Sequence, residues 1–316
     1  MEDINSTLVT EFILLAFDDY PQFHILLFVV CLVIYITCIT GNIIIFLLIQ
    51  FDVTLHAPMY YFISRFAILE ILYVSIIVPK LLDILIAGGN RISFAACFLQ
   101  LYCADTTGIV VCLLLTVMVF DRHFAITNPL RYMVIMSQWR VKLAIFPWVV
   151  GLVTDLSPTI LTASLQFCGP NQIDHFYCDV GPLQNLACSD PYISNLMTIL
   201  AAIFMVFTMF IIIIGFYTNI IITVLKIKTT EGKYKAFSTC SSHLIVACLF
   251  FSTATIVYVG PNGSKYEKFF ALIYRVVIPL LNPFIYTLRN NDVKLAFFRT
   301  LKEFKEKHLM FLTCKG

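Results

Sequence analysis

Charged residues are scarce in this sequence of 316 residues. Only 13% of the residues are Asp, Glu, Lys or Arg, whereas 60% are hydrophobic and the mean hydropathy is +0.90. A soluble domain carries about a quarter charged residues, because its surface must stay hydrated. This scarcity excludes an ordinary soluble domain, and a net charge of +2 is too small to indicate a nucleic-acid partner. We therefore expect most of the surface to face a lipid bilayer.

The few charges are separated by long apolar stretches. Residues 20–51, 191–225 and 236–264 contain no Asp, Glu, Lys or Arg. Three other apolar stretches contain one charged residue each. A seventh stretch, at 58–87, is less apolar because it contains four charged residues. A membrane-spanning helix needs roughly 20 mostly apolar residues, so seven spans are predicted. The predicted spans are 23–50, 58–86, 95–121, 141–163, 195–225, 236–259 and 268–288.

Signals of other classes of protein are missing. Ten-residue segments of alternating hydrophobicity, which mark a membrane β-barrel, do not occur, so the predicted fold class is an all-α bundle of seven transmembrane helices. We find neither the internal repeat typical of transporters nor a channel filter. The histidines are scattered without metal-ligand or nucleophile–base spacing. No enzyme, cofactor or bound catalytic metal is therefore predicted.

Basic residues are distributed unevenly around the predicted spans. If the N-terminus is outside, the cytoplasmic segments hold 15 Lys and Arg residues and the outer segments hold three. The positive-inside rule then predicts an extracellular tail at 1–22, a seven-span domain at 23–288 and a cytoplasmic tail at 289–316. The first tail has five acidic residues and no basic one, so we expect no cleaved signal peptide. Residues 291–307 are basic and amphipathic, which predicts a short helix on the inner leaflet.

Four of the eleven cysteines fall in or beside the predicted outer segments, namely Cys97, Cys168, Cys178 and Cys188. Oxidising conditions outside the cell favour disulfides, and four cysteines allow three pairings, among which the sequence alone does not choose. A glycosylation sequon occupies residues 5–7 of the outer tail, so Asn5 is predicted to carry a glycan.

Short motifs are spread along nearly the whole chain. In order they read GN at 41–42, LHAPMY at 55–60, VPK at 78–80, MVFDRHFAI at 118–126, NPLRY at 128–132, KAFSTCSSHL at 235–244 and PLLNPFIYTLRN at 279–290. A single Asp-Arg pair or Asn-Pro step is weak evidence. The combination, in this order and spacing, resembles the odorant receptors of the large tetrapod class, which are rhodopsin-like G-protein-coupled receptors.

The resemblance implies several properties that the residues alone do not. They are a rhodopsin-like fold in the plasma membrane, small odorant ligands and coupling to a stimulatory G protein that raises cyclic AMP. It also implies disulfides between Cys97 and Cys178 and between Cys168 and Cys188. The runner-up is a rhodopsin-like receptor for a non-odorant ligand in another tissue, because these motifs concern folding and coupling more than tissue.

The end of the third span is predicted to carry an activation switch. Arg122 lies beside Asp121 and carries a permanently charged guanidinium group with several hydrogen-bond donors. It either anchors the helix at the membrane surface or forms a latch with Asp121 that opens toward the G protein. Tyr217 and Tyr286 match family positions that swing toward this arginine. Pro283 removes a backbone hydrogen bond and permits a kink in span seven.

Glu70 lies in the middle of the second span, where an ionisable group is costly and functional by default. Asn42 and Asn282 match family positions that face it. We interpret Glu70 as the centre of a polar network between ligand and latch, with water or a sodium ion as a further member. The alternative is a protonated, hydrogen-bonded glutamate with a purely structural role.

The family pocket lies between spans three, five and six under the long outer loop, and an odorant site should be apolar with a few polar groups. Projection at helical spacing supplies most of its expected members. They are Ala104, Asp105, Gly108, Ile109, Val180, Phe251, Ala254, Thr255, Tyr258 and Arg275. For each apolar member, plain helix packing is the alternative.

Three ionisable residues are predicted to lie at one depth in the outer half of the bundle. Asp105 is about 12 Å and Arg275 about 10 Å into their spans at 1.5 Å per residue, and Asp155 reaches a similar level. Buried charges need partners. Asp105 and Arg275 are therefore expected either to bridge across the pocket or to recognise a ligand, an amine at Asp105 or a carboxylate at Arg275.

Several family positions near the Asp-Arg pair are altered. Phe120, His123 and Phe216 replace the residues usual in the family, and so does Thr127. Because these positions belong to the surface that meets the G protein, coupling strength is the least secure part of the resemblance.

Overall fold

The computed structural model describes residues 9–226, 228–259, 267–290 and 292–302. Within these ranges the chain is a helical bundle with one small sheet. The helices are α1 (His24–Phe51), α2 (Pro58–Ala87), α3 (Phe94–Thr127), α4 (Pro129–Ala163), α5 (Val180–Leu186), α6 (Tyr192–Lys226), α7 (Thr230–Val259), α8 (Glu267–Leu272), α9 (Ile278–Arg289) and α10 (292–302). Single 3₁₀ turns occupy Pro21–Phe23 and Val53–Leu55, and a π-helical turn, Ile273–Val277, joins α8 to α9.

The predicted spans correspond to α1–α4, α6, α7 and the joined α8–α9 segment, which confirms the fold class. By length and composition, five described segments are able to cross a membrane: Pro21–Phe51, Phe94–Thr127, Pro129–Ala163, Tyr192–Lys226 and Lys268–Ile285. Helix α2 has the length, but its four charges lower its hydropathy.

Several predicted boundaries differ from the observed ones, and two of them concern the connection between spans three and four. Spans three and four were expected at 95–121 and 141–163, whereas α3 continues to Thr127 and α4 begins at Pro129. Hydropathy detects the part of a helix inside the bilayer, and polar turns beyond it escape detection. Proline at the first position of α4 favours a helix start there, since it needs no hydrogen-bond donor at that position.

Helix α3 occupies the centre of the bundle. Of its most apolar stretch 67% is buried, against 11% for α1 and for α6, whose large side chains face outward.

Close approach between helices depends on small residues at some positions. At Gly41 of α1 a Cβ atom would lie 3.3 Å from the ring of Pro283 in α9, so glycine permits the two helices to pack tightly.

The end of the bundle at which α1 begins is closed by a three-stranded sheet. Strand β1 (Glu11–Leu14) pairs antiparallel with β2 (Arg91–Ser93) and parallel with β3 (Gln172–Ile173). Phe12 and Phe17 of the first tail are buried in an aromatic cluster with residues of the loop after α4. The sequence analysis predicted no strand, because segments of two to four residues are too short for a periodic signal.

The opposite end of the bundle carries the helix predicted after span seven. Residues 292–302 are helical, with Val293 and Ala296 buried against the bundle and Phe298 exposed. Tyr60 of α2 donates a hydrogen bond to Asp292 at 2.9 Å, which ties this helix to the bundle.

Candidate functional site

A cavity of about 90 Å³ lies between α3, α4, α6, α7 and the π turn, beneath α5. Its walls are mostly apolar and include two carboxylates. The lining residues are Leu101, Asp105, Gly108, Ile109, Cys112, Asp155, Pro158, Thr159, Val180, Thr198, Ala201, Ala202, Met205, Val206, Phe250, Ala254 and Tyr274. A concave, apolar site with a few polar groups is the usual form of a small-molecule site.

Five of the predicted pocket residues line this cavity: Asp105, Gly108, Ile109, Val180 and Ala254. Four others do not, since their side chains are engaged elsewhere or turned aside. Phe251 packs on the rings of Phe210 and Phe250, and the hydroxyl of Thr255 donates to its own helix at the Phe251 carbonyl. Ala104 and Arg275 lie behind the lining. The side chain of Tyr258 is outside the described residues.

The lining residues that α6 contributes to the cavity, and most of those that α4 contributes, were not predicted from the sequence. On α6 the lining positions 198, 201, 202, 205 and 206 recur at three- and four-residue intervals, which is one face of a helix. That periodicity is present in the sequence, but the span is apolar all round, so nothing there distinguishes the cavity face from the lipid face.

Arg275 and Asp105 form an ion pair at the cavity wall. Asp105 belongs to the lining, and Arg275 lies behind it. Nη2 of Arg275 lies 2.8 Å from Oδ1 of Asp105, Nη1 donates to the Ala104 carbonyl at 3.2 Å and Nε to the Tyr177 hydroxyl at 3.2 Å. The guanidinium also lies 5.1 Å from the centre of the Tyr177 ring and 5.6 Å from that of Tyr73. Arg275 sits in the π turn, a distortion that often marks functional sites.

Asp155 enters the same cavity from α4 and has a different environment. Its Oδ2 accepts a hydrogen bond from the Thr106 hydroxyl at 3.1 Å, and the residue is 5% exposed. One turn earlier on α4 stands Gly151, where a Cβ atom would lie 3.1 Å from the Thr106 carbonyl. The glycine therefore lets α4 approach α3 closely enough for Asp155 to reach the cavity.

The long loop between α4 and α6, which contains α5, covers the cavity. Disulfides join Cys97 to Cys178 and Cys168 to Cys188, the pairing that the family resemblance implies. The backbone amide of Cys178 also donates to the Gln100 side chain at 3.1 Å. His175 is buried in this loop between aromatic rings, and burial lowers its pKa to about 3, with the Arg275 charge adding to the effect.

Two of the predicted switch residues, Asp121 and Arg122, lie at the opposite end of α3. Arg122 and Asp121 form a direct ion pair, and the Tyr132 hydroxyl from α4 donates to Asp121 at 3.0 Å. All three are nearly inaccessible to solvent. Tyr132 belongs to the NPLRY motif at 128–132. Its contact with Asp121 was not predicted from the sequence, because the contact depends on how α4 packs against α3. Tyr217 is buried nearby in α6, and the side chain of Tyr286 is outside the described residues.

Three of the altered family positions pack against one another. The Phe216 ring lies 5.7 Å from that of Phe120 and 5.2 Å from that of His123. Aromatic pairs at these distances are favourable, so the substitutions form one shared contact between α3 and α6. The contact lies next to the Asp121–Arg122 pair in sequence, at the switch end of α3.

Glu70 makes one of its two predicted contacts. Its Oε1 accepts a hydrogen bond from Asn282 at 2.7 Å, whereas Asn42 donates to the Cys38 carbonyl of its own helix at 3.0 Å. Among the described residues, Glu70 Oε2 and Asn282 Oδ1 are buried without a hydrogen-bond partner. Carboxylate and amide oxygens are ligands of hard cations. Glu70 Oε2 and Asn282 Oδ1 are therefore oxygens of the type that sodium takes as ligands, and whether water or sodium joins this network stays a prediction.

Comparison with known proteins assigns the family. A family model described as olfactory receptor matches residues 30–304. The chain belongs to the olfactory receptor family. It is 42% identical to mouse Olfactory receptor 5P58 over 100% of this chain and 99% of the relative, and 44% identical to mouse Olfactory receptor 5P68 over 94% and 96%. With human Olfactory receptor 10C1 the identity is 41% over 95% and 97%.

Membership in this family also bears on the predictions of protein class and of membrane location. Olfactory receptors are receptors and not enzymes, as the lack of catalytic spacing predicted. Membership in the family and the apolar helices together make this olfactory receptor a multi-pass membrane protein. The predicted glycan at Asn5 falls outside the described residues.

Proposed function

We propose that this olfactory receptor binds small volatile molecules in the cavity beneath α5 and activates a stimulatory G protein, which raises cyclic AMP. The cavity has the apolar walls and few polar groups that such ligands require. The family to which the chain belongs supports an odorant as the ligand.

The observation that carries the proposal is that one helix joins the cavity to the switch. Asp105 on α3 lines the cavity, and Arg122 on the same helix forms the ion pair with Asp121. The two residues are 17 positions apart, or about 26 Å along the helix. A small displacement of α3 by a ligand would therefore be transmitted along a rigid element to the Asp121–Arg122 pair.

The proposed orientation has the N-terminus outside the plasma membrane. The sheet and both disulfides lie at the end of the bundle that holds the cavity, and disulfides form in oxidising surroundings. The opposite end, with Arg122 and the helix at 292–302, would then face the G protein.

Cyclic AMP should be measured in cells that express the full chain and are challenged with neutral, amine and acid odorants. We expect a dose-dependent rise with at least one class and its loss in Arg122→Ala at equal surface density, quantified with an N-terminal tag. The exposed Arg131→Ala is the matched control, because it removes one basic residue near the same end and should keep the response. Equal responses of wild type and Arg122→Ala would refute the switch.

A further inference from the structure

Two carboxylates line the cavity, but one cation pairs with them. Arg275 is bonded to Asp105. Asp155 is 5% exposed and accepts a hydrogen bond from Thr106, and within the described ranges no basic side chain forms an ion pair with it. When both carboxylates are ionised, the described residues supply one guanidinium for two negative charges at this wall. A buried carboxylate without a cation is costly and otherwise takes up a proton, so a ligand that brings a positive charge would supply the counterion that keeps Asp155 ionised.

An acidic ligand does not fit the same arrangement. Arg275 is fully buried, and its donors are directed at Asp105, the Ala104 carbonyl and the Tyr177 hydroxyl. It is also absent from the cavity lining, whereas Asp105 and Asp155 are both part of it. A ligand carboxylate would therefore meet two like charges before it reached the guanidinium.

We propose that the cavity selects a small primary amine, whose ammonium group pairs with the carboxylate of Asp155. This inference rests on the proposed receptor function and names the chemical class of its ligand. Thr159 lies one turn beyond Asp155 on the same face of α4 and lines the cavity, so its hydroxyl is placed to accept a second ammonium hydrogen. The alkyl chain would lie toward Met205 and Phe250 on the apolar walls.

The cavity volume restricts the length of that chain. An engineered apolar cavity of about 150 Å³ holds benzene, which has six carbon atoms. By that ratio a cavity of about 90 Å³ accommodates about four non-hydrogen atoms without rearrangement, and slightly more if side chains move. Propylamine and butylamine are therefore suitable probes.

The first experiment compares butylamine with 1-butanol and butanoate, which share its carbon chain and differ in charge. Cyclic AMP is measured in cells that express the wild type, Asp155→Asn or Asp190→Asn. Asp190 is an exposed carboxylate of the outer loop and provides the same change of charge away from the cavity. We expect butylamine to be the most potent of the three, and Asp155→Asn to raise its half-maximal concentration about 10- to 100-fold, since a charge-assisted hydrogen bond is lost. Asp190→Asn should behave as wild type.

The second experiment measures ligand binding without a G protein. Butylamine should raise the melting temperature of the purified full-length receptor, and Asp155→Asn should remove that shift while 1-butanol has the same small effect on both proteins. A shift that depends on Asp155, without any cyclic AMP response, would support amine recognition and overturn the proposed coupling. No shift with butylamine up to about 10 mM, a concentration that detects even mM affinity, would overturn the amine proposal. An equal loss of response to all three probes in Asp155→Asn would also overturn it, because the residue would then have a structural role.

Discussion

Removing one partner of the Asp105–Arg275 ion pair is expected to destabilise the receptor more than removing both. The single variants are Asp105→Leu and Arg275→Met, and the double variant combines them. Each single change leaves the other member of this pair without its counterion, whereas the double change removes both charges of the pair and leaves Asp155 as it is in the wild type. The order of stability should therefore be wild type, double variant, Arg275→Met and, lowest, Asp105→Leu.

The burial of the two side chains sets the magnitude. Breaking a buried pair costs about 3–5 kcal/mol, and replacing both partners by apolar residues is often nearly neutral. The Arg275 side chain is 1% exposed, so Asp105→Leu should approach that full cost. The Asp105 side chain is 16% exposed toward the cavity, where water reaches it, so Arg275→Met should cost less. Because the double variant is expected to be more stable than either single variant, the coupling energy between the two sites should exceed the cost of the larger single change, about 3–5 kcal/mol.

The assay is the temperature at which half of the detergent-solubilised receptor remains monodisperse. Glu11 and Arg91 provide a matched control, because they form an ion pair of similar geometry at 2.6 Å with side chains 41% and 70% exposed. Neutralising either should change the midpoint little, since exposed pairs contribute about 0–1 kcal/mol. Additive effects at Asp105 and Arg275, with the double variant the least stable of the four proteins, would refute the reasoning.

Three further predictions concern the switch, the outer loop and the second helix. Tyr132→Phe removes a hydrogen bond to Asp121, so basal cyclic AMP should rise at equal surface density; unchanged basal signalling would argue against a resting latch. His175 has a pKa of about 3 when folded and about 6.5 when unfolded, so its contribution to stability is present above pH 6.5 and lost on acidification. Between pH 7.5 and 5 the loss should be about 2 kcal/mol. His175→Gln should flatten the pH dependence of the melting temperature. The charged groups that act on His175 are Arg275, Lys268 and Asp174. Replacing sodium by choline chloride should lower the melting temperature of wild type but not of Glu70→Gln; equal shifts would exclude a cation bound by Glu70 and Asn282.

The sequence by itself determined the class of fold and the family. Residues 191–225 carry no charge over 35 positions, and such a segment is stable in a bilayer only as a helix that satisfies its own hydrogen bonds. The combination of short motifs in their order and spacing indicated the family, because each motif consists of residues that are adjacent or close in the chain. The common level of Asp105 and Arg275 also followed from the sequence, since helical rise converts residue number into height within the membrane, and an ion pair between them was one of the two expectations.

Only the tertiary structure decided which residues share the cavity and which charge there lacks a counterion. Rotation of one helix about its axis is undetermined when all its faces are apolar, so Phe251 and Thr255 were assigned to the lining while Met205 and Thr198 were missed. The position of Asp155 depends on Gly151 and Thr106, where α4 packs against α3, and the contact of Tyr132 with Asp121 depends on the same packing. Packing between helices joins residues distant in sequence, and a pattern along one helix carries no information about its neighbours.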